Sequence, residues 1–313
     1  MVFVAYNFVA GMRKLFFSFV VLLSLVFLWT RADFGEVDKK PEKQEILRFA
    51  LVSDSENDNS NLQKALTGAK DAGASFVIGL GDWTQLGMLD DLIRAKEVFD
   101  ASGLEYFVTA GDRDLWDSRD KGEPTLLNFN AVFGKSSHVI NKGEVRLIIV
   151  DNADIYKGIS DVEWELLNKF LGNGKEAGVE NKLVGKSDTD DLTQSPNRHP
   201  NPDPTAKIAA TTQLVFVFAH KTPFHPQSAH IMGADNSEVS EQAKEFMKVM
   251  EDAKIDGFFS GDLHFFAGFN SPGGVKITTV GATSAERNFQ GPRYAIVTVY
   301  NDYSWEVEDR EVE

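Results

Sequence analysis

The stretch Phe258–Phe266, FFSGDLHFF, decides how the chain is read. A short apolar run of strand type stops at Gly261, and an acid and an imidazole follow at Asp262 and His264 before the chain turns apolar again. Four earlier runs end in a similar way. FALVSDSE (49–56) ends at Asp54 and Glu56, VIGLGDWTQLG (77–87) at Asp82, FVTAGDRD (107–114) at Asp112, Arg113 and Asp114, and VFVFAHKTP (215–223) at His220. A glycine directly precedes Asp82, Asp112 and Asp262, which permits a tight turn and close approach of backbone to a ligand.

Helical patterns separate these runs. Leu62, Ala65, Leu66 and Ala69 share one helical face, with Gly73 as the stop; 88–103 forms a second amphipathic helix ending at Gly103. A helix is predicted around 123–133, with strands near 137–141 and 145–151. Ser160 and Glu163 make a capping box ahead of a stripe of Val162, Leu166 and Phe170. Val239, Ala243, Phe246 and Met250 align on a further helix. Strands alternating with helices imply an α/β fold: a largely parallel sheet covered by flanking helices. The tail carries only strand-like runs (265–271, 275–280, 294–300, 304–308), read as antiparallel strands forming a second sheet face. Residues 173–211 are polar and aperiodic, the pattern of a long mobile insertion.

The 313 residues are 42% hydrophobic with a formal net charge of −15 and no cysteine. Thiol catalysis, disulfides and cysteine-ligated zinc are excluded. The acidic balance argues against nucleic-acid binding. At the N-terminus, Arg13 and Lys14 precede the uncharged run Leu15–Trp29. This predicts that 1–32 is a secretory signal peptide or an uncleaved membrane anchor, followed by a linker over 33–44 and a domain over 45–313. Either form exports the domain, and any membrane contact is through that segment alone. Oligomeric state is not legible.

Ligands of open α/β sheets bind beyond the carboxyl ends of the strands. If the strands are neighbours, Asp54, Glu56, Asp82, Asp112 and Asp262 converge. Two carboxylates ~4 Å apart repel by ~4 kcal/mol at an effective dielectric of about 20. Five persist as anions with cations between them, and two divalent ions sharing one aspartate meet that need; partial protonation is the alternative. Each motif alone is ordinary turn chemistry, and an α/β domain with five such turns is the competing reading.

The order and spacing of the five motifs resemble the calcineurin-like metallophosphoesterase family, in particular its purple-acid-phosphatase-like branch. That family's pattern runs D-x-H, G-D-x-x-D/N, G-N-H-D/E, a lone H, and G-H-x-H. The resemblance implies a four-layer fold of mixed sheets with flanking helices and an antiparallel C-terminal strand run. It implies one metal among Asp54, Glu56, Asp82 and His264, and a second among Asp82, Asp112, His220 and Asp262. It also implies hydrolysis of a phosphorylated small molecule by a metal-activated hydroxide. Several positions depart from the pattern. Glu56 and Asp262 stand where the family has His, Gln85 where it has Asp or Asn, Asp112 where it has Asn, and Arg113 where it has the catalytic His. Apart from Gln85 and Arg113, the replacements are themselves ligands, which implies a retuned site preferring Mn, Mg, Ca or Fe over Zn. Arg113, held by Asp114 through a paired hydrogen bond, is expected to bind phosphate without donating a proton. The alternative is a weak or inactive domain that binds metal or a phosphorylated ligand. His225 and His230 are candidates for the entrance and for a replacement proton donor. His138 and His199 are expected to be structural or exposed, and Trp116 to pack in the core.

Overall fold

Why the chain makes two stacked sheets follows from its strands, which are apolar on both faces. In the computed structural model, which describes residues 42–172 and 214–313, every residue of Phe76–Gly79, Val145–Ile149 and Gly257–Ser260 is buried. Such strands need cover on each side. Glu45–Glu313 forms one unit.

Strands β1 (Glu45–Val52), β2 (Phe76–Gly79) and β3 (Glu105–Val108) run parallel. Strands β10 (Arg293–Tyr300) and β11 (Trp305–Glu311) add antiparallel beyond β1, giving the order β11-β10-β1-β2-β3. The second sheet has the order β4-β5-β6-β7-β9-β8. Its strands are β4 (His138–Lys142), β5 (Val145–Ile149), β6 (Leu214–Ala219), β7 (Gly257–Ser260), β8 (Ala267–Asn270) and β9 (Lys276–Thr279). Strands β5, β6, β7 and β9 are parallel, with β4 and β8 antiparallel at the edges. The strand-only tail therefore does not make a face of its own. Two of its strands extend each sheet, because β10 finds its partner in β1 and β9 finds its partner in β7.

Side chains alternate between layers as the pleat requires. Phe49, Leu51, Phe76 and Ile78 of the first sheet meet Leu147, Phe216, Phe218 and Phe259 of the second in one buried cluster. The opposite face of the first sheet packs against α1 (Asn59–Asp71) and α2 (Leu89–Ser102). The short helices α3 (Trp116–Asp120) and α4 (Leu127–Phe133) follow β3. The outer face of the second sheet packs against α5 (Asp161–Leu171) and α6 (Ser237–Ala253). The result is helix, sheet, sheet, helix.

The faces foreseen for α1 and α6 are the buried ones. On α5 the buried residues are Leu167 and Leu171, while Val162 is exposed, so the stripe is displaced from the one foreseen. Ser160 does cap α5, accepting from the Glu163 N–H. The Glu163 carboxylate turns inward to Ser137 and Asp151, and its Oε2 is buried without a hydrogen-bond partner. The apolar run 15–29, the linker up to residue 41, the insertion over 173–211 and His199 lie outside the described residues. Among the described residues, no helix is long and apolar enough to cross a membrane.

Burial pushes the Glu163 carboxyl up to about 7, partly offset by its bond to Ser137. A folded-state value above the unfolded 4.5 means the folded chain holds a proton the unfolded chain has released. Stability should therefore fall as pH rises from 4.5 through 7. Replacing the acid, Glu163→Gln, is expected to raise the melting temperature at alkaline pH by roughly 3–6 °C and leave it unchanged in acid. Thermal melts at both pH extremes check this.

Candidate metal centre

All five strand-end motifs come out at one edge of the sheet pair, contributed by β1, β2 and β3 from one sheet and β6 and β7 from the other. The turns are bonded to one another. Asp54 N–H donates to Gly81 O at 2.9 Å, Glu56 N–H to Asp82 O at 2.9 Å, and Gly261 N–H to His220 O at 3.0 Å. Across the sheets, Asp262 N–H reaches Asp54 Oδ2 at 3.1 Å.

These turns use unusual backbone. Asp54 (φ 53°), Glu56 (φ 47°), Asp82 (φ 56°), Asp262 (φ 66°) and His264 (φ 61°) are all left-handed. For non-glycine residues this costs of order 1 kcal/mol each, and it clusters at functional sites. The glycines before the acids do what their position suggests. A Cβ on Gly111 would lie 2.1 Å from Asp82 Oδ1, and one on Gly261 would lie 1.9 Å from Ser53 Oγ and 2.9 Å from Asp54 Oδ2.

His220, fully buried, anchors the centre. Its Nδ1–H donates to Leu80 O at 2.7 Å, which directs Nε2 inward. From Nε2 the distances are 3.6 Å to Asp82 Oδ1, 3.3 Å to Asp112 Oδ1 and 3.7 Å to Asp262 Oδ1. Two triads can each hold an ion: Asp54, Asp82 and His220, and Asp112, His220 and Asp262. The ligand atoms within each triad lie within 4.8 Å of one another. His264 Nε2 faces the other way, 3.7 Å from Asp54 Oδ1 and 3.5 Å from Glu56 Oε1, while its Nδ1 bonds to Glu286 O at 3.2 Å. Asp262 and His264 thus serve different groups of partners. The donor set fits a divalent cation: it is oxygen-rich, and the Glu56 Oε2 and Asp262 Oδ2 atoms are buried without hydrogen-bond partners.

Three cations share this space. Arg113 Nε lies 2.9 Å from Glu56 Oε1 and 3.6 Å from Asp82 Oδ2, with its guanidinium over the half-buried Trp116 ring. Arg287 Nη2 lies 2.9 Å from the same Glu56 oxygen. Lys221 Nζ lies 2.7 Å from Asp262 Oδ1 and 3.0 Å from Asp112 Oδ1, and its side chain is only 7% exposed. The exposed His230 reaches Asp262 Oδ1 with Nε2 at 3.3 Å. His225 instead packs against Phe269, its Nδ1 accepting from Gln227 and Ser228 N–H.

Electrostatics follow from this arrangement. Burial lifts the Asp82 carboxyl well above its usual range despite His220. Burial also lifts Glu56 to about 7, with His264 and Arg113 acting against it. At Asp112 burial is outweighed by the His220 bond and Lys221, and the carboxyl falls to about 2. Asp262 is likewise lowered, its burial overcome chiefly by Lys221. For His220, burial opposes protonation, but Asp82 and its neighbours raise its proton affinity above normal. Positive charge is therefore demanded at Nε2, from a proton or from a metal ion that displaces it.

One expectation changes. Asp114 does not brace Arg113; it accepts from Trp83, Thr84 and Gly111 N–H and from Thr84 Oγ1, tying the two acidic turns together. Gln85 bonds to Glu286 at the surface. Lys221 and Arg287 were not foreseen. The lysine beside His220 in AHKTP was visible, but its facing partners come from other motifs; nothing in the sequence marks Arg287.

No family model matches the sequence, and no curated protein matches it. Solved structures do. A dimetal phosphatase from Danio rerio is 13% identical over 86% of this chain and 100% of that one, with a TM-score of 0.51. The purple acid phosphatase PPD1 of yellow lupin is 13% identical over 85% of this chain, at a TM-score of 0.53, and this chain spans only 51% of it. TT1561 of Thermus thermophilus is 10% identical over 86% of this chain and 100% of that one, at 0.50. The chain has the calcineurin-like metallophosphoesterase fold.

Gly261 and Gly268 differ in the room they leave for a side chain. Gly261→Ala is expected to cost about 1–3 kcal/mol in urea unfolding. Gly268→Ala, where an added Cβ meets nothing within 4 Å, is expected to change little.

Proposed function

We propose that this chain is an exported, metal-dependent phosphoesterase. One observation carries the catalytic part: Asp54, Asp82 and His220, from three strand ends and both sheets, are buried with their ligand atoms within 4.8 Å of one another. A divalent ion held there supplies positive charge to a phosphoryl group and lowers the pKa of water. Carboxylates outnumber imidazoles around it, which favours Mn, Mg, Ca or Fe over Zn. Export is supported by the basic pair Arg13-Lys14 ahead of the apolar run Leu15–Trp29.

The chain's own side chains divide the remaining work. Arg113, partly exposed beside Glu56 and Asp82, binds phosphate oxygens but keeps its proton. His230 is the exposed imidazole that touches the cluster, and its bond to Asp262 raises its proton affinity. It is positioned to give a proton to the departing alcohol. A domain that binds a phosphorylated ligand without turnover is the second reading, favoured by the arginine at the position where the resemblance places the catalytic His.

Purified protein is expected to contain divalent metal and to hydrolyse aryl phosphates. Asp82→Ala should lower turnover by at least about 10²-fold. Stoichiometric metal with no turnover of any aryl or alkyl phosphate would establish the binding reading instead. His230→Ala should depress alkyl phosphates more than aryl ones, since a general acid contributes ~10²–10⁴-fold where the leaving group is poor. Arg113→His should favour the same alkyl substrates. Equal effects across the leaving-group series would refute the acid assignment.

A further inference from the structure

Lys221 stands among the ligands of one of the two triads. Its ammonium lies between Asp112 and Asp262, at 3.0 and 2.7 Å from their Oδ1 atoms, and the same two oxygens face His220 Nε2 at 3.3 and 3.7 Å. The placement is built, not a stray contact. The side chain of Asn152, itself buried, clamps the Lys221 peptide from both sides: Asn152 Oδ1 accepts from Lys221 N–H at 2.9 Å, and Asn152 Nδ2 donates to Lys221 O at 2.7 Å. The next residue, Thr222, is tied down by its hydroxyl to Phe224 O at 2.7 Å.

A second, independent observation concerns His220. Both triads require its Nε2, because its Nδ1 is bonded to Leu80 O. One nitrogen lone pair serves one ion, so the two triads are not filled together, and a pair of ions needs the first held by Asp54, Glu56, Asp82 and His264 with His220 left to the second. That second ion would still need Asp112 and Asp262, whose Oδ1 atoms the ammonium already bridges.

We propose that Lys221 is an internal substitute for the second metal, so that the chain binds one divalent ion per molecule. This rests on the metal-binding part of the proposed function, not on catalysis. The lysine supplies the fixed positive charge that a second ion would bring, and it lacks that ion's ability to exchange with solution.

The probe is Mn²⁺ alone, followed by equilibrium dialysis with elemental analysis and by electron paramagnetic resonance. The full chain is expected to bind one Mn²⁺ with the six-line spectrum of an isolated ion. Lys221→Met, which removes the ammonium and keeps the stem, should bind two, with the six-line signal replaced by that of a coupled pair. Lys221→Arg should stay at one. Asp112→Ala joined to Lys221→Met should return the count to one, and the count in the unaltered chain keeps the test open if Lys221→Met folds poorly. Two Mn²⁺ in the unaltered chain, or one in well-folded Lys221→Met, would overturn the proposal while leaving the phosphoesterase reading intact. One Mn²⁺ without phosphate-ester hydrolysis would overturn the catalytic reading and support the lysine assignment. No bound Mn²⁺ would overturn both.

Discussion

Five buried or nearly buried carboxylates meeting at the edge of two stacked sheets set the terms for the rest of this molecule. A buried carboxylate ionises only with a partner, and neighbouring carboxylates make the demand steeper. Each surrounding feature answers it. Arg113 and Arg287 meet on one oxygen of Glu56, Lys221 bridges Asp112 and Asp262, and the backbone N–H groups of Arg113 and Asp262 point at Asp82 and Asp54. At Asp82 and Glu56 burial outweighs the cations beside them, and the carboxyl holds its proton more tightly. The gradient of proton affinity across the site, from lysine-bound Asp112 and Asp262 to Asp82 and Glu56, follows the balance between burial and neighbouring cations at each carboxylate.

The parts of this arrangement that the sequence exposes are local. A strand apolar on both faces, then glycine, then an acid, is a short-range pattern, so Asp82, Asp112 and Asp262 could be found by reading along the chain, and Asp54 follows a like strand after Ser53. The layers follow from alternation of such runs with amphipathic helices. What escapes is set by pairing between distant elements. Asp114 sits beside Arg113 in sequence, yet its partners belong to the turn after β2. Arg287 reaches Glu56 across 231 positions. Lys221 reads as one more turn residue until the ends of β3, in one sheet, and of β6 and β7, in the other, are brought to one edge. On α5, the sets containing Val162 and Leu167 have the same spacing, and only the position of the second sheet decides between them.

The centre takes side chains from both sheets, so its geometry depends on how those sheets are stacked. Phe49, Phe218 and Phe259 lie in the layer beneath it, with Phe218 and Phe259 stacked at 5.1 Å. A close-packed aromatic layer transmits small shifts and does not absorb them. The site and the inter-sheet core are therefore one mechanical unit, and a ligand that binds across the edge also fastens the sheets together.

The left-handed backbone at Asp54, Glu56, Asp82, Asp262 and His264 concentrates conformational strain at one sheet edge. Glycine occupies that conformation without steric penalty, whereas these side chains hold it at a cost in folding free energy. Lys254 and Tyr303 adopt it singly, in turns elsewhere. At the sheet edge five positions adopt it within two bonded sets of turns, so a ligand that ties the turns together would also hold that strain in place.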